Sequence, residues 1–90
     1  MDRVTLITGG NKGLGYEAAK ELKAKGYKVY IGSRNEERGQ KASKELGVDY
    51  VQLDVSDDES VQQAFKTLSE KEGRVDVLIN NAGISADLPK

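Results

Sequence analysis

Thr8-Gly9-Gly10-Asn11-Lys12-Gly13-Leu14-Gly15 is the stretch from which the rest of the chain is read. It follows a short β-branched run, Val4-Thr5-Leu6-Ile7-Thr8, and leads into a helical pattern starting near Leu14. A strand that runs through glycines into a helix N-terminus builds an anion site. The first amides of the helix lack internal partners, and the macrodipole puts positive potential there. Glycines let the chain turn sharply and let a pyrophosphate approach the backbone. The spacing is G-x-x-x-G-x-G, which departs from the strict G-x-G-x-x-G fingerprint. It is not a P-loop either, because Leu14 follows Gly13 where that motif needs Lys and Ser or Thr. Taken alone, the loop also fits a turn that merely needs flexible residues.

Outward from the loop, the chain alternates. Val4 to Thr8 is a compact apolar strand suited to a parallel sheet covered on both faces. From Leu14 to about Lys25, the apolar residues Leu14, Ala18, Ala19 and Leu22 recur at helical spacing, and Gly26 caps the helix. Lys28 to Gly32 is a second strand, ending at Ser33-Arg34-Asn35. Asn35 can cap a helix with Glu36 and Glu37 in its first turn, a thin apolar face (Gly39, Ala42, Leu46) and a stop at Gly47. Asp49 to Asp54 reads as a third strand. Ser56 and Glu59 then form a capping box, with Asp57 and Asp58 in the first turn. Dipole complementation explains this acidic cluster better than a metal or an acid–base pair does. Val61, Ala64, Phe65 and Leu68 mark the buried stripe of that helix, which ends before Gly73. Val75 to Asn80 is a fourth strand, leading into Asn81-Ala82-Gly83.

The predicted order is therefore β-α-β-α-β-α-β, an α/β chain with a parallel sheet and right-handed crossovers. A doubly wound sheet of this kind takes the strand order 3-2-1-4, with ligands at the carboxyl ends of strands where the order reverses. The glycine loop, Arg34, Asp54 and Asn81 all fall at such ends.

Composition narrows the chemistry. Residues 1–90 are expected to form a single domain, and the formal net charge is −1. Neither a nucleic acid nor a membrane surface is suggested as a partner, and a cytoplasmic location is expected. The sequence has no Cys and no His, so it offers no disulfide, thiol nucleophile or imidazole, and no metal site is expected.

With these stretches in place, the sequence resembles the front of the short-chain dehydrogenase/reductases. The resemblance rests on Thr8-Gly9-x-x-x-Gly13-x-Gly15, then Leu53-Asp54-Val55, then Asp76-Val77-Leu78-Ile79-Asn80-Asn81-Ala82-Gly83. Gly9-Gly10-Asn11-Lys12-Gly13, with Arg34 and Arg38-Gly39-Gln40, is similar to the carbonyl-reductase-like members. The resemblance implies half of a Rossmann fold that binds a nicotinamide dinucleotide. Gly9, Asn11, Lys12, Gly13, Leu14 and Gly15 would hold the pyrophosphate. Asp54 would accept from the adenine amino group, with the Val55 backbone facing the ring. Asn81, Ala82 and Gly83 would line the adenosine-ribose side.

NAD-binding relatives place an acidic residue at the end of the second strand, whereas Ser33, Arg34 and Asn35 stand there in this chain. The Arg34 guanidinium is a planar fork of donors suited to phosphate, and Lys12 adds a second cation, which favours NADP(H). The family's catalytic Tyr-x-x-x-Lys pair and Ser belong to the later half of its fold. Tyr16 and Lys20 share that spacing but sit in the first helix, where the family has no such pair. The expected function is thus an NADP(H)-binding module without catalysis of its own. A non-binding structural or engineered half-fold and one part of a split reductase stand as alternatives. The fourth strand carries Asp76 but no proline, so its free edge is expected to support a homodimer by antiparallel pairing.

Overall fold

The computed structural model describes residues 3–9 and 13–80. Its elements are β1 (Val4–Thr8), α1 (Gly13–Ala24), β2 (Lys28–Ser33), α2 (Glu36–Leu46), β3 (Asp49–Gln52), α3 (Asp58–Glu72) and β4 (Val77–Asn80). The four strands form one parallel sheet in the order β3-β2-β1-β4, as the alternation predicts.

Strand alternation sorts the core into two layers. On one face Val4, Leu6, Tyr30, Val51 and Leu53 pack with Ala64 and Leu68 of α3. On the other, Ile7, Val29 and Ile31 pack with Ala19 of α1 and Ala42 of α2. Leu6, Ile7, Ile31 and Leu68 are fully enclosed. Each contributes about 1.5–3 kcal/mol by leaving water, and so drives the stacking of helices on both faces. All five residues of β1 are buried, which makes it the central strand.

The structure corrects several local expectations. Leu14 is 81% exposed, so Gly15 and Ala19 are the buried residues of α1 and Leu14 is not part of the apolar stripe. The cap of α3 is Asp57, whose side chain accepts from the Glu59 amide, and not Ser56. Ser56 is diverted because its hydroxyl and amide both donate to Asp54 Oδ1, at 2.6 and 3.0 Å. A short polar side chain that can bond locally competes with the cap it would otherwise form. β3 ends at Gln52 and β4 begins at Val77, both shorter than the apolar runs suggest. The remaining residues keep strand-like links, since the Leu53 amide donates to the Ser33 carbonyl and the Asp76 amide to that of Val4. Asn35 caps α2 as expected, accepting from the Arg38 amide at 2.9 Å.

Side chains tie the amino end of the sheet together. Asp76 Oδ2 accepts from the Val4 amide and from Arg74 Nε, both at 2.8 Å. Those two bonds hold its carboxyl below the usual range, the backbone bond counting most. Lys28 Nζ meets Asp49 Oδ2 at 2.6 Å, and the Tyr30 hydroxyl donates to Glu72 Oε2 at 2.6 Å. Burial first, and then the Glu72 carboxylate, push the Tyr30 phenol well above its ordinary value, so it remains a neutral donor.

Candidate functional site at the carboxyl ends of the strands

At the opposite end, the strands finish nearly flush: Thr8 lies opposite Gly32 on one side and Asn80 on the other. Gly9 continues from β1 with φ +67, and its amide donates to the Gly32 carbonyl at 2.7 Å. Gly13, with φ +63, opens α1. Both lie in the left-handed region, where any other L-residue costs about 1–2 kcal/mol. Gly10, Asn11 and Lys12 lie outside the described residues.

Charge distinguishes the three helix starts. The first turns of α2 and α3 carry Glu36 and Glu37, and Asp58 and Glu59, which offset the positive end of the dipole. That of α1 holds no acidic residue, so its potential is left for an external anion.

The turn after β2 is internally bonded. Ser33 is buried; its hydroxyl donates to the Asn35 carbonyl and accepts from the Asn35 amide, each at 3.2 Å. Arg34, by contrast, stands exposed at the same edge. The end of β3 lies beside it because Leu53 packs onto Gly32, where a Cβ would come within 2.8 Å of Leu53 Cδ2. Asp54 then follows, half-buried, with its own amide donating to Ser60 Oγ at 2.9 Å. The Ser56 hydroxyl and amide, and then the nearby Arg34 charge, hold the Asp54 carboxyl below its ordinary value. The group is therefore an anionic acceptor at neutral pH. Oδ1 is taken by Ser56, while Oδ2 makes no hydrogen bond among the described residues. Val55 is exposed next to it. Arg34 and Asp54 both line a groove of ≈ 720 Å³ between β3 and α3, together with Ser60 and Gln63.

At the end of β4, Asn80 Oδ1 accepts from Thr8 Oγ1 at 3.0 Å and so ties the last strand to the first. Asn81, Ala82 and Gly83 lie outside the described residues. The structure thus brings Gly9, Gly13, Leu14, Gly15, Ser33, Arg34, Asn35, Asp54 and Val55 to one end of the sheet. The Tyr16 hydroxyl reaches α2 and donates to Glu45 Oε1 at 3.2 Å, and Lys20 is exposed. Sequence reasoning passed over Tyr50, whose hydroxyl donates to the Ser33 carbonyl at 2.7 Å. The only signal for it was a phenol in a strand, a group that seeks a partner once buried.

These residues suit a dinucleotide. Glycine conformations bring the chain from β1 to an uncompensated helix start, a cation stands after β2, and an ionised acceptor stands after β3. Among the described residues no group of His, Cys, Asp and Glu is placed to hold a metal, and no helix is long and apolar enough to cross a membrane.

Fold and site together define a doubly wound α/β chain with its glycine turn at the point where strand order reverses. The profile of the short chain dehydrogenase family matches residues 3–90, and the chain belongs to that family, corresponding to the N-terminal part of its fold. It is 44% identical over 94 residues to (−)-isopiperitenone reductase of Mentha piperita, a match that covers 94% of this chain and 30% of the relative. Among solved structures, menthone neomenthol reductase from Mentha piperita superposes with a TM-score of 0.89 at 39% identity, over 92% of this chain and 32% of that one. The 3-ketoacyl-(acyl-carrier-protein) reductase from Brucella melitensis, solved as a complex with NADH, gives a TM-score of 0.79 at 33% identity, over 84% and 32% of the two chains. The chain therefore spans about a third or less of the relatives it matches.

Proposed function

We propose that residues 1–90 form the cofactor-binding front of an NADP(H)-dependent reductase. The pyrophosphate lies over the turn from Gly9 to Gly15, with Asn11, Lys12 and Leu14 beside it. The adenine meets Asp54 and Val55, and the adenosine ribose meets Asn81, Ala82 and Gly83. Arg34, flanked by Ser33 and Asn35, receives the 2′-phosphate with Lys12. The observation that carries this reading is the exposed Arg34 beside an ionised Asp54, in a turn with no carboxylate to grip the ribose hydroxyls. Carbonyl reduction by the whole protein follows from its likeness to the reductases named above, and its catalytic groups lie outside these residues. Calorimetric titration with NADPH and NADH tests the choice of cofactor. NADPH binding tighter by tenfold or more is expected, and equal affinities refute the charge argument.

Leu78 is 51% exposed, and β4 pairs with β1 alone among the described residues. This supports association of two copies of the 90-residue chain through antiparallel β4 edges. Sedimentation over a range of concentrations, with Leu78→Lys as the control, tests it; a monomer throughout refutes it.

A further inference from the structure

Arg34 occupies a two-residue turn between the end of β2 at Ser33 and the start of α2 at Glu36. A long, exposed side chain discriminates between ligands only as far as its backbone is held, because ordering it on binding costs conformational entropy. Besides the sheet bond from the Leu53 amide to the Ser33 carbonyl, one side chain from outside the turn reaches both of its flanks. The Tyr50 hydroxyl donates to the Ser33 carbonyl at 2.7 Å, on the residue just before Arg34. The Tyr50 ring lies directly on Gly39 of α2, where a Cβ would come within 2.1 Å of Cε1. Gly39 is itself bonded to the turn, its amide donating to the Asn35 carbonyl at 2.9 Å. Tyr50 thus adds a side-chain bond to a carbonyl that also accepts from the Leu53 amide. Its ring packs on the helix that follows Arg34, a fit that needs residue 39 to have no side chain. Burial, and then the nearby Glu36 charge, raise the Tyr50 pKa, so the hydroxyl remains a neutral donor across the physiological range.

We propose that Tyr50 is a positioning residue for cofactor selectivity, fixing the Ser33 carbonyl and the first turns of α2 so that Arg34 is aimed at the cofactor's 2′-phosphate. Tyr50 makes no contact with the cofactor. It changes how well NADPH is told from NADH, and leaves the common part of the two molecules alone. This inference rests on the reading that Arg34 meets that phosphate.

The experiment is a cycle of Tyr50→Phe, Arg34→Ala and the double variant in the intact protein, with Kd for NADPH and NADH and thermal stability measured for each. Tyr50→Phe keeps the ring on Gly39 and removes only the hydroxyl. It is expected to weaken NADPH binding roughly threefold to tenfold, the factor carried by one net hydrogen bond, with the NADH Kd nearly unchanged. Replacing the hydroxyl by an amino group, with p-aminophenylalanine at position 50, restores a donor and should recover the ratio. In the Arg34→Ala background Tyr50→Phe should leave the ratio where it is. Tyr50→Phe lowering stability with no change in ratio, or weakening both cofactors alike, overturns the proposal and leaves the Arg34 reading standing. A loss of selectivity that persists without Arg34 overturns it too. If Arg34→Ala alone leaves the ratio untouched, the phosphate reading itself fails, and the role of Tyr50 falls with it.

Discussion

The two ends of the sheet are built from similar residue types and put to opposite use. At the amino end, charges and hydroxyls are matched with each other: Asp76 with the Val4 amide and Arg74, Lys28 with Asp49, Tyr30 with Glu72. At the carboxyl end the paired groups shape backbone, as the Ser33 hydroxyl does for Asn35 and one oxygen of Asp54 does for Ser56. Arg34 is exposed there, and the second oxygen of Asp54 makes no hydrogen bond among the described residues. Pairing satisfies a polar group and removes it from ligand chemistry; a group that serves a ligand has to be held by neighbours that occupy its backbone instead. The difference gives each end a distinct expected response to substitution, stability at one and affinity at the other.

The sharpest test is Arg34→Asp. It removes a charge-assisted contact worth about 1.5–3 kcal/mol, so NADPH affinity should fall by roughly tenfold to a hundredfold and the preference should approach or pass reversal. Chemical denaturation should scarcely register the change, because Arg34 is exposed. Tyr30→Phe is the counterpart at the other end. Tyr30 is 3% exposed and donates to a carboxylate, so its loss should cost about 1 kcal/mol of stability and leave both cofactor affinities unaltered. A shift in NADPH affinity in this variant would break the division between the ends. Asp49→Asn should cost no more than about 0.5 kcal/mol, since both partners of the Lys28–Asp49 pair are roughly half exposed.

Acid sharpens the same comparison. Asp54 and Asp76 both titrate below the ordinary 3.8 in the folded state. A depressed folded pKa means that the unfolded chain takes up the proton first. The stabilisation is therefore complete well above 3.8 and is lost as pH falls below it through the folded values. Asp76→Asn should flatten that acid limb in a pH series of unfolding curves. Asp54→Asn should flatten it too, and unlike Asp76→Asn it should weaken cofactor binding at neutral pH.

How much of this was legible follows from the range of the interactions. Strand order could be read because it depends on alternation and handedness, which are written into β-branched runs and helix caps such as Asn35 and Gly47. Arg34 could be placed because it directly follows β2, and Asp54 because it closes the apolar run that holds β3, two residues past the strand's end. Ser56 was misread because the competing Asp54 carboxylate lies only two residues away, and composition does not say which of two local bonds wins. Leu14 has helical spacing yet its side chain is exposed, because in the first turn of α1 it is Gly15 that faces inward. Tyr50, Gly39 and Gly32 were illegible for a different reason. Their roles are contacts between elements, a ring on a bare backbone and a leucine on a glycine, and they exist only once the elements have packed.

The clamp between Asp76 and Val4 also has a consequence for the order in which this protein comes into being on the ribosome. β1 is made first and can pair with β2 as soon as residues 28–33 have emerged, but its other edge waits for residues 77–80. Until then the central strand of the sheet is exposed as an edge, the state in which apolar strands recruit strangers. Asp76 is synthesised just ahead of β4 and brings both an amide and a carboxylate to Val4, across a separation of 72 residues. These bonds are the first that the approach to β4 can make with β1. Nascent chains released before that residue should be the ones that chaperones and proteases capture.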